Sequence, residues 1–347
     1  MKCQLKKENW MPLCCPRLST AFLGSMFFVV LLLSGSALAQ PPQCDPDKVL
    51  TWESCAKCHS GEVGVWKQTP HHQTFDELSR NPRASEICQK MGLRSVKRSD
   101  VCINCHFTLK TKGDREKPVS GISCESCHGA AADWIELHND YGGNTGTKEN
   151  ETEEHRDQRL AESTAYGMRN TRDLYLIASS CLHCHTVPNE ELVNVGGHKA
   201  GSDDFELVRW SQGRVRHNFL RSDGQFNATS SIERLRVMYV VGLIADLEFS
   251  TRATAEATEK STYGLAVATR AARTAQKLME LNTVVQIEEV DAVLNAFSGA
   301  SLSTNNQDQL LEIADEIRQF GQEFAVNADG EDLQAVDPFL PNESEYK

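Results

Sequence analysis

The chain has 347 residues, 40% of them hydrophobic, and a formal charge of −12 at pH 7. That length allows one large domain or two ordinary ones. The acidic balance argues against the electrostatics by which proteins hold nucleic acid or anionic lipid, and points instead to a protein partner that carries a basic patch.

The N-terminus reads as an export signal. Lys2, Lys6, Lys7 and Arg17 make a basic start, "MFFVVLLL" an apolar run, and "SALAQPP" offers Ala37 and Ala39 at the small positions of a cleavage site. Cleavage after Ala39 would make 1–39 a signal peptide and place the mature chain in the periplasm. A retained anchor is the competing reading, because Ala21 to Ala39 is just long enough to span a bilayer. The Ser and Gly residues at 34–36 favour cleavage. No later segment reads as a membrane span.

From residue 40 the chain carries one motif four times: "CAKCH" at 55–59, "CINCH" at 102–106, "CESCH" at 124–128 and "CLHCH" at 181–185. A zinc site has no reason to place His directly after every second Cys, and a redox dithiol would occur once. Haem attachment needs this spacing. Two thiols add to the two vinyl groups of one porphyrin, and the next residue supplies an imidazole to the iron. Cys55, Cys58, Cys102, Cys105, Cys124, Cys127, Cys181 and Cys184 are therefore the expected attachment points of four covalent c-type haems, with His59, His106, His128 and His185 as proximal ligands. Large flat cofactors would also supply the core that a 7% aromatic content leaves thin. The unequal spacing of the motifs rules out a simple tandem repeat.

Seven further histidines remain. His71 and His72 are adjacent, so one of them is expected to ligate. His138 follows "AADWIEL", a helical turn. His198 follows two glycines in "NVGGHKAGS", and His217 lies in "RVRHNF", where Arg214 and Arg216 could pair with haem propionates. His155 sits in the charge run "ETEEHRD", which reads as solvated, and His183 lies inside its own motif and reads as a surface or haem-edge residue. His71, His138, His198 and His217 are thus the expected distal ligands. Methionine is scarce, so His/His ligation and low potentials are expected. Cys44 and Cys88 are left over, and an oxidising compartment would favour a bridge between them.

Beyond 225 the character changes. "SSIERLRVMYVVGLIADLEF" opens with Ser230 and Glu233 at capping-box spacing, and Ile232, Leu235, Tyr239 and Gly242 recur at helical intervals. "LAVATRAARTAQKLMEL" and "VVQIEEVDAVLNAFSG" read as two more helices, the latter stopping near Gly299. In "NNQDQLLEIADEIRQFGQEF", Leu310, Ile313, Ile317, Phe320 and Phe324 line one face. The fold class is mainly α: a haem-centred domain over 40–225, a bundle of about four helices over 226–326 and an irregular acidic tail over 327–347.

These motifs, with "VWKQTPH" after the first and "GISCESCHG" at the third, resemble the tetrahaem cytochrome c-554 family over about 45–200. The resemblance implies a mainly helical fold with haems packed in van der Waals pairs, and electron shuttling from a periplasmic multihaem oxidoreductase towards the quinone or cytochrome pool. It also implies that His71 ligates the haem of the fourth motif, and that a His shortly after the third motif, the place His138 holds, ligates the first haem. The family keeps one late His for the third haem and leaves the second five-coordinate. This chain departs from it by having both His198 and His217 after the fourth motif, so four bis-His haems are expected.

The expected function is that of an electron carrier between redox partner proteins rather than an enzyme. A reductase of a small nitrogen or sulfur oxide would need one open haem, against which the supply of His argues. A third reading makes the chain a subunit of a larger complex, docked through its C-terminal helices.

Overall fold

A computed structural model describes residues 44–347. The proposed signal peptide lies outside the described residues. Short helices carry the motif region. They are α1 (Trp52–Cys55), α2 (Ser60–Trp66), α3 (Pro70–Glu77), α4 (Pro82–Lys90) and α5 (Asp100–His106). A hairpin of β1 (Thr108–Lys112) and β2 (Arg115–Ser120) follows, then α6 (Cys124–His128), α7 (Glu153–Ala165), α8 (Leu174–His185), α9 (Glu190–Asn194) and α10 (Leu207–Ser211). Four further helices follow, α11 (Ile232–Ala255), α12 (Thr262–Val285), α13 (Glu288–Ser298) and α14 (Gln307–Asn327), and two 3-10 turns at Gln334–Phe339 and Glu343–Glu345 lie in the tail. The molecule is mainly helical.

Local chemistry sets many of these boundaries. Thr69 caps α3 by accepting from His72 N, with Pro70 in the first turn. Thr152 caps α7, so the solvated charge run around His155 is helical. The expected cap of α11 moves by one residue. Ser231, not Ser230, accepts from the backbone N of the residue three further on, Arg234. The hairpin has no counterpart in the sequence reading. It turns at Gly113, whose φ of +64° suits the first central position of a II′ turn.

The amphipathic pattern expected for α11 is replaced by burial on nearly all sides. Val237, Val240, Val241, Ile244, Ala245 and Leu247 are all buried, because α8, α10, α12 and α14 surround the helix. Two close approaches require glycine. A Cβ on Gly242 would lie 2.7 Å from Leu207 Cβ, and one on Gly321 would lie 2.2 Å from the Tyr175 ring. Tyr175 in turn donates to Glu248 Oε2 (2.8 Å), while Glu248 Oε1 pairs with Arg252 Nε (2.7 Å). The helix bearing the fourth motif is thereby packed on the C-terminal helices, and the described residues form one compact unit. No described helix is long and apolar enough to cross a membrane.

Candidate haem sites

Each motif histidine faces one other histidine. Ring centroids lie 6.3 Å apart for His59 and His138, 6.4 Å for His106 and His198, 6.1 Å for His128 and His217, and 6.3 Å for His71 and His185. Two metal–imidazole bonds of about 2.0 Å plus two ring radii of roughly 1.1 Å give a separation of ~6 Å. The donor set therefore fits a metal at the centre of a flat ring, with one imidazole on each face.

Hydrogen bonding at Nδ1 supports the same fit. His138, His198 and His217 place Nδ1 within bonding distance of the carbonyls of Ile135 (2.6 Å), Lys199 (2.8 Å) and Val215 (2.6 Å). His185 Nδ1 lies 3.0 Å from Ser202 Oγ, and His59 Nδ1 lies 3.4 Å from Glu62 Oε1. A proton fixed on Nδ1 leaves Nε2 as the lone-pair donor for a metal. Burial also keeps the rings neutral. It is the first cause that pushes His106, His128 and His185 down to about 4, and it lowers His71.

The two segments quoted around the first and third motifs touch each other. Trp66 Nε1 donates to Ile122 O (2.8 Å), and Gly121 lies flat against the carbonyl of His71. Thr108 Oγ1 ties the same turn to Gly121 O (2.8 Å) and to Ser126 Oγ (2.7 Å). Motifs distant in sequence also meet: Cys55 contacts Cys124, and Cys105 contacts Cys184.

His72 does not face a second histidine. It packs edge-on against Trp66 at 4.6 Å. His155 pairs with Glu151 (2.7 Å). His183 is half-buried. Burial pushes it down to about 4, and its ligand atom lies within 4.8 Å of the Cys105 and Cys184 sulfurs. Those sulfurs belong to two of the motifs, so the cluster is not a separate metal centre. The Cys44–Cys88 bridge is not formed. Cys44 donates to Glu125 O, and burial pushes its thiol up to about 12, while Cys88 packs against Cys102. The two thiols are placed apart, because the third motif holds one and the second motif the other.

Several supporting residues were not legible in the sequence. Glu125 occupies an unassigned position of "CESCH" yet is fully buried, accepting from Leu50 N (2.8 Å), Thr51 N (2.8 Å) and Ala131 N (2.9 Å). Arg270 on α12 pairs with Asp246 (2.6 Å) and donates to His185 O (3.0 Å). Its Nη2, with Arg216 Nε and Trp134 Nε1, is buried without a hydrogen-bond partner among the described residues, as expected of groups awaiting a carboxylate acceptor. Only the position of Arg216 beside His217 offered a signal. The glycines before His198 serve a turn: Gly197 has φ +75°, and a Cβ on Gly196 would meet Leu192 O at 2.6 Å.

Arg159 donates to His138 O and pairs with Glu151 (2.7 Å). That guanidinium holds the Glu151 carboxyl down at about 2. A depressed carboxylate contributes stability that is complete above its unfolded value of about 4.3 and is lost as pH falls through its folded value. Stability should therefore decline from about pH 5 towards pH 2. Denaturant melts of Glu151→Gln should show a flatter decline than wild type over that window, and parallel profiles would count against the clamp.

Four covalent-attachment motifs with opposed imidazoles define a c-type cytochrome, whose cofactor is covalently bound haem c. Residues 54–129 match the family described as Cytochrome c554 and c-prime. The chain is also 32% identical over 107 residues to cytochrome c-554 of Nitrosomonas europaea, a match covering 28% of this chain and 43% of that protein. Residues 54–129, which hold three of the four motifs, are thus similar to the cytochrome c-554 family, and the chain spans less than half the length of that relative. No solved structure matches.

Proposed function

We propose that this chain is an exported, periplasmic tetrahaem cytochrome that passes electrons between redox partner proteins through four bis-His haems. The observation that carries the reading is the opposition of every motif histidine to a second imidazole at 6.1–6.4 Å. Haem supplies the one-electron iron couple. The eight imidazoles would occupy both axial positions of each iron, which leaves no coordination site for a small oxide and favours transfer over substrate chemistry. Acceptors at Nδ1 orient the rings and raise their basicity, which lowers the potential. The Cys55–Cys124 and Cys105–Cys184 contacts would bring the sulfur-bearing edges of haems one and three, and of two and four, together. Arg216 and Arg270 would hold propionates with their unpartnered donors.

The test is to replace His71, His138, His198 and His217 singly by Ala. The wild type should gain four haem masses and show only low-spin signals. Each variant should convert one haem in four to high spin. Four variants that all remain low-spin would refute the ligand set, and carbon monoxide binding to the reduced wild type would favour an open haem.

A further inference from the structure

The charge of the chain is strongly polarised. Ten Lys and Arg stand against four Asp and Glu over 80–117, whereas nine stand against twenty from 226 onward. The basic segment spans the second motif and includes the β1–β2 hairpin. Register sets Lys110 opposite Lys117 and Lys112 opposite Arg115. Side chains alternate between faces along a strand, so these four cations share one face. The other face carries Leu109, which packs on the cluster of Cys102, Ile103 and Phe107. The cationic face is therefore the one turned from that core.

Like charges directly opposite on neighbouring strands destabilise a hairpin. Nearby cations are neutralised: Glu86 pairs with Arg83 (3.1 Å) and with Lys90 (2.7 Å). Lys110, Lys112, Arg115 and Lys117 have no ion-pair partner among the described residues. Two repulsive pairs in one short ribbon oppose its folding, and a second charged surface would offset them.

We propose that this ribbon face docks an acidic redox protein beside the second haem. The inference rests on the electron-carrier reading above. β1 begins two residues after His106, so a partner seated on the ribbon would lie next to that haem's proximal helix. The chain's net charge of −12 would repel an acidic partner in most orientations, and a local basic face would then select one.

The test compares two reduced donors in stopped flow: flavodoxin, an acidic one-electron protein, and lumiflavin, a small uncharged flavin. In the quadruple variant Lys110→Ser, Lys112→Ser, Arg115→Ser, Lys117→Ser, the flavodoxin rate constant at low ionic strength should fall about tenfold. The difference should vanish at roughly 1 M salt, and the lumiflavin rate should not change. Lys112→Glu, which sets a carboxylate opposite Arg115, should also slow flavodoxin while melting no lower than wild type. Unchanged flavodoxin rates would overturn the docking face, as would an equal fall with both donors, since an uncharged donor is not steered. Binding of the wild type to phosphatidylglycerol vesicles, lost in the variant while flavodoxin rates hold, would assign the ribbon to a membrane surface and overturn the proposal. Failure of the wild type to accept electrons from lumiflavin would instead sink the electron-carrier reading.

Discussion

Glu125→Ala is expected to lower stability by roughly 3–5 kcal/mol, a large share of the total for any domain. The carboxylate sits between the two sulfur-bearing residues of the third motif but serves the first. It accepts from Leu50 N and Thr51 N at the start of α1 and from Ala131 N beyond α6. Thr51 has φ +82°, a strained conformation for a threonine, and it persists because its N–H is held. Truncation would orphan three backbone donors, that of Ala131 buried and those of Leu50 and Thr51 partly so, and release that strain. The first and third motifs would lose their common anchor beside the Cys55–Cys124 contact. Glu125→Gln keeps the shape and one acceptor, so about half the loss is expected. Guanidinium melts followed by circular dichroism measure both, and a loss under about 1 kcal/mol in the alanine variant would refute the anchoring role.

Gly121→Ala should disturb a haem of a different motif. A Cβ there would lie 2.0 Å from the carbonyl oxygen of His71, so the first turn of α3 must move. Overpacking of this kind costs about 1–3 kcal/mol, and the displaced element carries the ring that faces His185 at 6.3 Å. The spectrum should gain one high-spin haem, as in His71→Ala. Gly64→Ala is the control. It lies within α2 with nothing inside 4 Å of the added atom, and removing a helical glycine should stabilise by roughly 0.5–1 kcal/mol. Electron paramagnetic resonance separates them, and a fully low-spin Gly121→Ala protein would show that α3 tolerates the shift.

Both effects begin at residues that a sequence reading passes over. Glu125 is an acid in a motif position open to any residue, and its role depends on a loop some 75 residues away folding over it. Gly121 belongs to a quoted segment, but nothing in the string says which backbone it must admit. Cys44 and Cys88 show the opposite failure. Counting left them as natural partners, and packing set them against Glu125 and Cys102.

By itself the sequence determined the chemistry that covalent spacing enforces: which cysteines can grip a porphyrin, which histidine follows each pair, and that the chain is mainly helical. It also supplied the surplus imidazoles by simple count. The family resemblance already set His71 against the fourth motif and His138 against the first; only the tertiary structure set His198 against the second and His217 against the third. His71 crosses to the fourth motif and His138 returns to the first because Trp66, Gly121 and Ala131 hold the intervening backbone against distant segments. The burial of α11 on nearly all sides, the repulsive pairs of the hairpin and the reach of Arg270 to His185 were likewise invisible. Local spacing is a property of the chain, whereas opposition across a gap of a few ångströms depends on every contact that brings remote segments together.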